Sequence, residues 1–193
     1  MKNALLVIDV QKIYTDPDLE LYCKNAKETV NMINSLIKNN NNSEIIYIRH
    51  IHRENGSDLG RMYDYYEESV DEFSFVENSK EVEFDNNLKI LKSSKHIIKT
   101  RYSSFQGTDL DTYLKGKNID KVTVCGFMTG FCCESTAREA HDRGYFVDFI
   151  TDATGTPQIG NYNQDEIRKM TSNVLDEGFA RVMTTKRYQL NNQ

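Results

Sequence analysis

Short apolar runs recur along the chain at Ala4–Ile8, Glu44–Ile48, His96–Ile98, Lys121–Cys125, Phe146–Ile150 and Ala180–Met183. Most neighbouring pairs are separated by a stretch with helical period. That alternation predicts an α/β fold: a three-layer α/β/α arrangement around a six-stranded, mostly parallel sheet. Near-continuous apolar strands such as Ala4–Ile8 are what a sheet covered on both faces requires. Between the first two runs, Ala26, Val30, Ile33 and Ile37 recur at helical spacing, giving one apolar stripe before the polar turn Asn39–Ser43. Thr108 with Asp111 predicts a capping box opening a helix through Leu110, Tyr113 and Leu114, with Gly116 as its stop. Asn163 with Glu166 repeats the signal for a helix with Ile167, Met170, Val174 and Leu175 on one face, ending near Gly178. His50–Glu83 breaks the pattern. It is rich in charge and tyrosine (Tyr63, Tyr65, Tyr66) without a sustained period, and reads as an excursion over the sheet edge, either a lid or a subunit contact.

Length and composition narrow the picture. The chain has 193 residues, 38% of them hydrophobic, enough for one core, so a single domain over residues 1–193 is expected. A net charge of −5, with no Lys/Arg cluster, offers no footprint for nucleic acid or an anionic membrane surface. The apolar run Ala4–Ile8 is too short for a signal-peptide core or a membrane span, so a cytoplasmic protein is expected. Cys23, Cys125, Cys132 and Cys133 form no disulfide framework, and adjacent cysteines rarely bridge, so reduced thiols are expected.

In an open parallel sheet, ligands bind beyond the carboxyl ends of the strands. Three residues sit there. Asp9 ends the first run, Lys99 ends the third, and Cys132 follows the fourth through the turn Gly126–Phe131. Cys132 would begin a helix reaching Arg143, where free N–H groups and the helix dipole favour thiolate. Gly126 and Gly130 would let the turn aim N–H groups at an oxyanion. Asp9 could take the thiol proton, and Lys99 could hold the carboxylate and stabilise negative charge. Each residue also has an ordinary reading: Cys132 as a small core residue, Asp9 as a cap, Lys99 as a solvated charge.

Three ordered blocks carry a resemblance that covers nearly the whole chain. They are Leu5-Leu6-Val7-Ile8-Asp9-Val10-Gln11, then Lys99-Thr100-Arg101-Tyr102-Ser103-Ser104-Phe105 with Thr108 and Leu110, and Gly126-Phe127-Met128-Thr129-Gly130-Phe131-Cys132-Cys133-Glu134-Ser135-Thr136. Asp152-Ala153 closes the pattern. The chain resembles the isochorismatase-like cysteine hydrolases, which include nicotinamidases, N-carbamoylsarcosine amidases, ureidoacrylate amidohydrolases and biuret hydrolases.

The resemblance implies catalytic Asp9, Lys99 and Cys132, with Cys133 as a packing residue. It implies a cis peptide between Phe127 and Met128 and an oxyanion hole of the Met128 and Cys132 N–H groups. It also implies Gln11, Arg101, Tyr102 and Phe105 as substrate neighbours, and cleavage of a carbon–nitrogen bond in a small molecule through a Cys132 thioester. Relatives are often dimers or tetramers, so a homo-oligomer is expected.

No cofactor is implied. Nicotinamidases carry a metal-binding D-x-H pattern where this chain has Arg49-His50-Ile51-His52-Arg53. Two histidines two apart point to opposite faces of a continuing strand, which disfavours a metal there. Zinc on Cys125, Cys132 and Cys133 lacks the usual spacing and a fourth ligand. The alternatives are an isochorismatase-type ether hydrolase, which needs no Cys nucleophile, and a non-catalytic small-molecule binder of the same fold.

Overall fold

The computed structural model describes residues 1–40, 43–64 and 73–191. Six strands form one all-parallel sheet: β1 (Asn3–Ile8), β2 (Glu44–His50), β3 (Lys95–Lys99), β4 (Lys121–Phe127), β5 (Phe146–Gly155) and β6 (Arg181–Met183), in the order β3-β2-β1-β4-β5-β6. The chain first winds outward from β1 to β3. It then returns to the other side of β1 and winds outward again, so the β1/β4 junction is the switch point where a crevice opens.

Burial on both faces follows from the strand sequences. Along β1, Leu5 and Val7 enter one core, while Ala4, Leu6 and Ile8 enter the other. The first core is closed by α1 (Lys12–Thr15), α2 (Ala26–Lys38) and α6 (Thr185–Asn191), through residues such as Tyr14, Ile33 and Tyr188. The second is closed by α3 (Leu110–Gly116), α4 (Glu134–Asp142) and α5 (Gln164–Gly178), through Leu114, Ala137 and Leu175. The expected stripe of α2 is buried as predicted, at Ala26, Val30, Ile33 and Ile37.

Several local expectations are corrected. The capping box at Asn163 and Glu166 forms, but the one at Thr108 does not. Thr108 accepts the Leu110 N–H at 3.2 Å, while Asp111 turns to Lys115 (2.7 Å) and to the Tyr145 hydroxyl (2.8 Å). Gly116 lies inside the last turn of α3, and Asn118, at φ 56°, makes the left-handed stop. On α5 the buried residues are Thr171, Ser172 and Leu175; Met170 is 66% exposed because it lies beyond the sheet-facing arc. Asp152 and Ala153 fall within β5, which runs on to Gly155.

The stretch from His50 to Glu83, read as an excursion over the sheet edge, follows the interior strand β2, and its residues 65–72 lie outside the described residues. Its described parts fold back across the carboxyl ends of β1 and β2. His52 bridges Val76, the Phe75 carbonyl accepts the His52 N–H (2.7 Å), and Glu83 O accepts the Lys12 N–H (2.8 Å). Tyr65 and Tyr66 lie outside the described residues.

The helix expected from Cys132 to Arg143 is split into a π-turn over Thr129–Cys133 and α4. Ahead of it, Gly126 has φ 125°, and a Cβ there would lie 1.9 Å from Ile8 O. Only glycine lets β4 approach the end of β1 this closely.

Candidate active site

Asp9, Lys99 and Cys132 come together at the switch point. Each is held by the end of a different strand, and their exposures are 0%, 1% and 2%. Asp9 leaves β1 at φ 49°, a left-handed conformation that aspartate tolerates better than most side chains, with its N–H bonded to Ile48 O at 2.9 Å. Lys99 Nζ lies 2.8 Å from Asp9 Oδ2 and 3.2 Å from Cys132 Sγ. It also lies 3.1 Å from Arg101 O and 3.3 Å from His50 Nδ1. The peptide between Phe127 and Met128 is cis, where the family resemblance placed it.

Electrostatics at the triad follow from burial. Loss of water raises Asp9 above the usual carboxylate range, with Lys99 pulling the other way, so Asp9 is a stronger base than an exposed aspartate. For Lys99, burial alone would lower the ammonium, but the charges of Asp9 and Cys132 hold it above its ordinary value. Burial pushes the Cys132 thiol up to about 12, against the pull of Lys99. Desolvation at this buried turn opposes the helix end that favours thiolate. A thiol raised in this way would need a base to react, and Asp9 lies close by: ligand atoms of Asp9, His50 and Cys132 are all within 4.8 Å of one another.

Those three atoms could in principle hold a cation, but Lys99 Nζ lies within 3.3 Å of each and already supplies the positive charge. His50 Nε2 and His52 Nε2 face each other at 2.9 Å, a hydrogen-bond distance. Two nitrogens on a tetrahedral zinc would stand about 3.4 Å apart, given bonds of ~2.1 Å. The set suits an ammonium better than a metal.

A cavity of about 500 Å³ opens onto Cys132, walled by Tyr14, Phe75, Tyr102, Met128, Phe131 and Ile159. A hollow of about 610 Å³ lies at the other end of the strands, between Lys2, Glu44 and Lys117, with none of the triad on its wall. Of the expected substrate neighbours, only Tyr102 lines the cavity at Cys132. Gln11 is fully buried and clamps the His50 peptide, accepting its N–H at 2.8 Å and donating to its O at 3.0 Å. Arg101 reaches back to Asp58 O at 2.6 Å. Phe105 packs in the second core beside Tyr145. Three residues close to the catalytic blocks in sequence therefore support the site from behind. The walls that sequence reasoning missed, Tyr14, Phe75 and Phe131, follow β1, β2 and β4 in the chain, so inspecting the first turns after those strand ends would have flagged Tyr14 and Phe131.

The doubly wound parallel sheet, with a buried Asp–Lys–Cys cluster at its switch point, has the architecture of the isochorismatase-like hydrolases. The chain belongs to the isochorismatase family, whose domain matches residues 3–187. An uncharacterized isochorismatase family protein of Bacillus subtilis is 27% identical over 161 residues, covering 82% of this chain and 81% of its own. Nicotinamidase 3 of Arabidopsis thaliana is 42% identical over 84 residues, covering 44% of this chain and 39% of its own. The crystal structure of a cysteine hydrolase from Pseudomonas syringae pv. phaseolicola 1448A superposes with a TM-score of 0.87 at 31% identity, covering 98% of this chain and 91% of that one. The family is hydrolytic and includes amidases.

Proposed function

We propose that the protein hydrolyses a carbon–nitrogen bond (amide, ureido or carbamoyl) of a small molecule through a thioester on Cys132. The observation that carries this is Lys99 Nζ standing 2.8 Å from Asp9 Oδ2 and 3.2 Å from Cys132 Sγ beside an aromatic cavity. Asp9 accepts the thiol proton as sulfur attacks the carbonyl carbon. The oxyanion is received by the Met128 and Cys132 N–H groups; Met128 O already accepts the neighbouring Phe131 and Cys133 N–H groups. Asp9 then gives its proton to the leaving nitrogen, and the C–N bond breaks. Water attacks the thioester with Asp9 again as base, releasing the acid and restoring the thiol. Lys99 balances negative charge on Asp9 and on the sulfur throughout.

The cavity supports a substrate with an uncharged, apolar body. Among the described lining residues the one formally charged side chain is Glu20, and none is Lys or Arg. Residues 65–72 contain no Lys or Arg either. A carboxylate on the substrate would enter unpaired. The test is an ammonia-release screen over simple amides, ureides and carbamoyl compounds, each paired with an analogue bearing a carboxylate. Turnover of the uncharged members, lost in Cys132→Ala and kept in Cys133→Ala, is expected. Equal turnover by Cys132→Ala would refute the reading.

A further inference from the structure

Two buried histidines stand beside this chemistry without a part in it. His50 and His52 are 1% and 0% exposed. Neither is isolated: Lys99 Nζ lies 3.3 Å from His50 Nδ1, His50 Nε2 lies 2.9 Å from His52 Nε2, and His52 Nδ1 lies 3.3 Å from Asp58 Oδ1. Asp58 in turn accepts the Arg53 N–H on both oxygens, at 3.1 and 3.3 Å, and its side chain is 22% exposed. A continuous chain therefore runs from the lysine of the triad towards solvent.

Donor and acceptor chemistry fixes its direction. An ammonium only donates, so His50 Nδ1 carries the lone pair and His50 holds its proton on Nε2. An ionised carboxylate only accepts, so His52 holds its proton on Nδ1 and offers a lone pair at Nε2. The central contact then has one donor, His50 Nε2–H, and one acceptor, His52 Nε2. Reversing it would require both a neutral Lys99 and a protonated Asp58. Protonating either imidazole would place two donors face to face beside Lys99 and Arg101. Burial and those cations lower both histidines, most strongly His50, in keeping with two neutral rings. Among the described residues, the other groups facing the pair are Asp9, Cys132, the Phe75 ring, stacked on His50 at 4.6 Å, and the Phe73 ring, edge-on to His52 at 6.3 Å.

We propose that His50, His52 and Asp58 are positioning residues, forming a one-way hydrogen-bond chain that holds the Lys99 ammonium against Asp9 and Cys132. Lys99 Nζ has four acceptor-bearing neighbours, Asp9, Arg101 O, Cys132 and His50, for three hydrogens. Anchoring one hydrogen on His50 leaves the others shared between the carboxylate and the sulfur as the thiolate forms. If the acceptor is lost, the ammonium can turn away from the sulfur. Asp58 acts three contacts from Lys99, by setting the tautomer of His52.

The proposal rests on the Cys132 reading, and the test separates the two. Long-range proton–nitrogen correlation spectra of the full-length protein, labelled with ¹⁵N-histidine, report each tautomer at neutral pH without substrate. The expected pattern is Nε2–H for His50 and Nδ1–H for His52, the latter being the minor form of free histidine.

In kinetics on an amide found by the screen, Asp58→Ala should lower kcat by about 10- to 100-fold, on the scale seen for outer partners of metal-ligating histidines, with KM within about twofold. Asp58→Asn, which keeps an acceptor for His52 Nδ1–H, should restore most of it. An Nε2–H tautomer at His52 in the wild type, or full kcat in Asp58→Ala, would overturn the proposal. If no amide turns over, the catalytic reading fails on its own, and the rate of Cys132 alkylation by iodoacetamide replaces kcat. A changed rate in Asp58→Ala, restored in Asp58→Asn, supports the chain, and an unchanged rate sinks it.

Discussion

Lys99 is buried and serves Asp9, Cys132 and His50 together. Lys99→Met would leave the Asp9 charge buried without its counter-ion, which costs about 3–5 kcal/mol when one partner of such a pair is removed. Chemical denaturation at neutral pH should show that loss. Asp9 is already raised by burial, so in the variant it takes up a proton in the folded state more readily than in the unfolded chain. The deficit should therefore shrink as the pH falls. At Cys132 burial raises the thiol, against the pull of Lys99, so little thiolate is expected near neutral pH. Alkylation in the absence of substrate should be slow at pH 6–8 and climb with pH; rapid, pH-independent alkylation at pH 6 would mean that the sulfur rests as a thiolate. Asp9, Lys99 and Cys132 were legible because each ends or follows an apolar run. Gln11, Arg101 and Phe105 are equally close to those runs, but their side chains turn into the clamp, the loop and the second core, and spacing alone does not encode that choice.

The strands were the most legible elements, because burial on both faces leaves little but apolar, β-branched sequence. What was missed is where tertiary contacts overrule local signals: Asp111 leaves its cap for Lys115 and Tyr145, and Cys132 sits in a π-turn where helical sequence suggested a plain helix start. Asn163 keeps its cap, accepting the Asp165 and Glu166 N–H groups at 2.9 and 3.1 Å. Asn163→Ala should destabilise the fold by about 1 kcal/mol in denaturation, with kcat unchanged, since α5 lies outside the triad. Gly126→Ala is the opposite case. Its methyl would meet Ile8 O at 1.9 Å in a backbone conformation that L side chains rarely adopt, and β1 and β4, which lead to Asp9 and Cys132, would be forced apart. Loss of soluble folded protein, followed by circular dichroism, is the expected outcome.

For the molecule as a whole, the order β3-β2-β1-β4-β5-β6 gathers residues 9, 99 and 132 into one buried cluster. Alternation of strand and helix gave the class of fold, and the rule that sites lie at strand ends gave the triad. The cavity above it was not legible, because its walls come from Tyr14 in α1, Phe75 in the segment after β2, Phe131 in the π-turn and Ile159 in the loop after β5, which meet only once the sheet has wound in both directions. No helix among the described residues is long and apolar enough to cross a membrane. The central claim is covalent catalysis at Cys132, and intact-protein mass spectrometry after rapid mixing with a turned-over amide and an acid quench tests it most directly. The expected result is a mass increase equal to the acyl group, mapped to the peptide carrying Cys132 and absent in Cys132→Ala. Steady turnover with no acyl adduct at Cys132, and undiminished in Cys132→Ala, would contradict it.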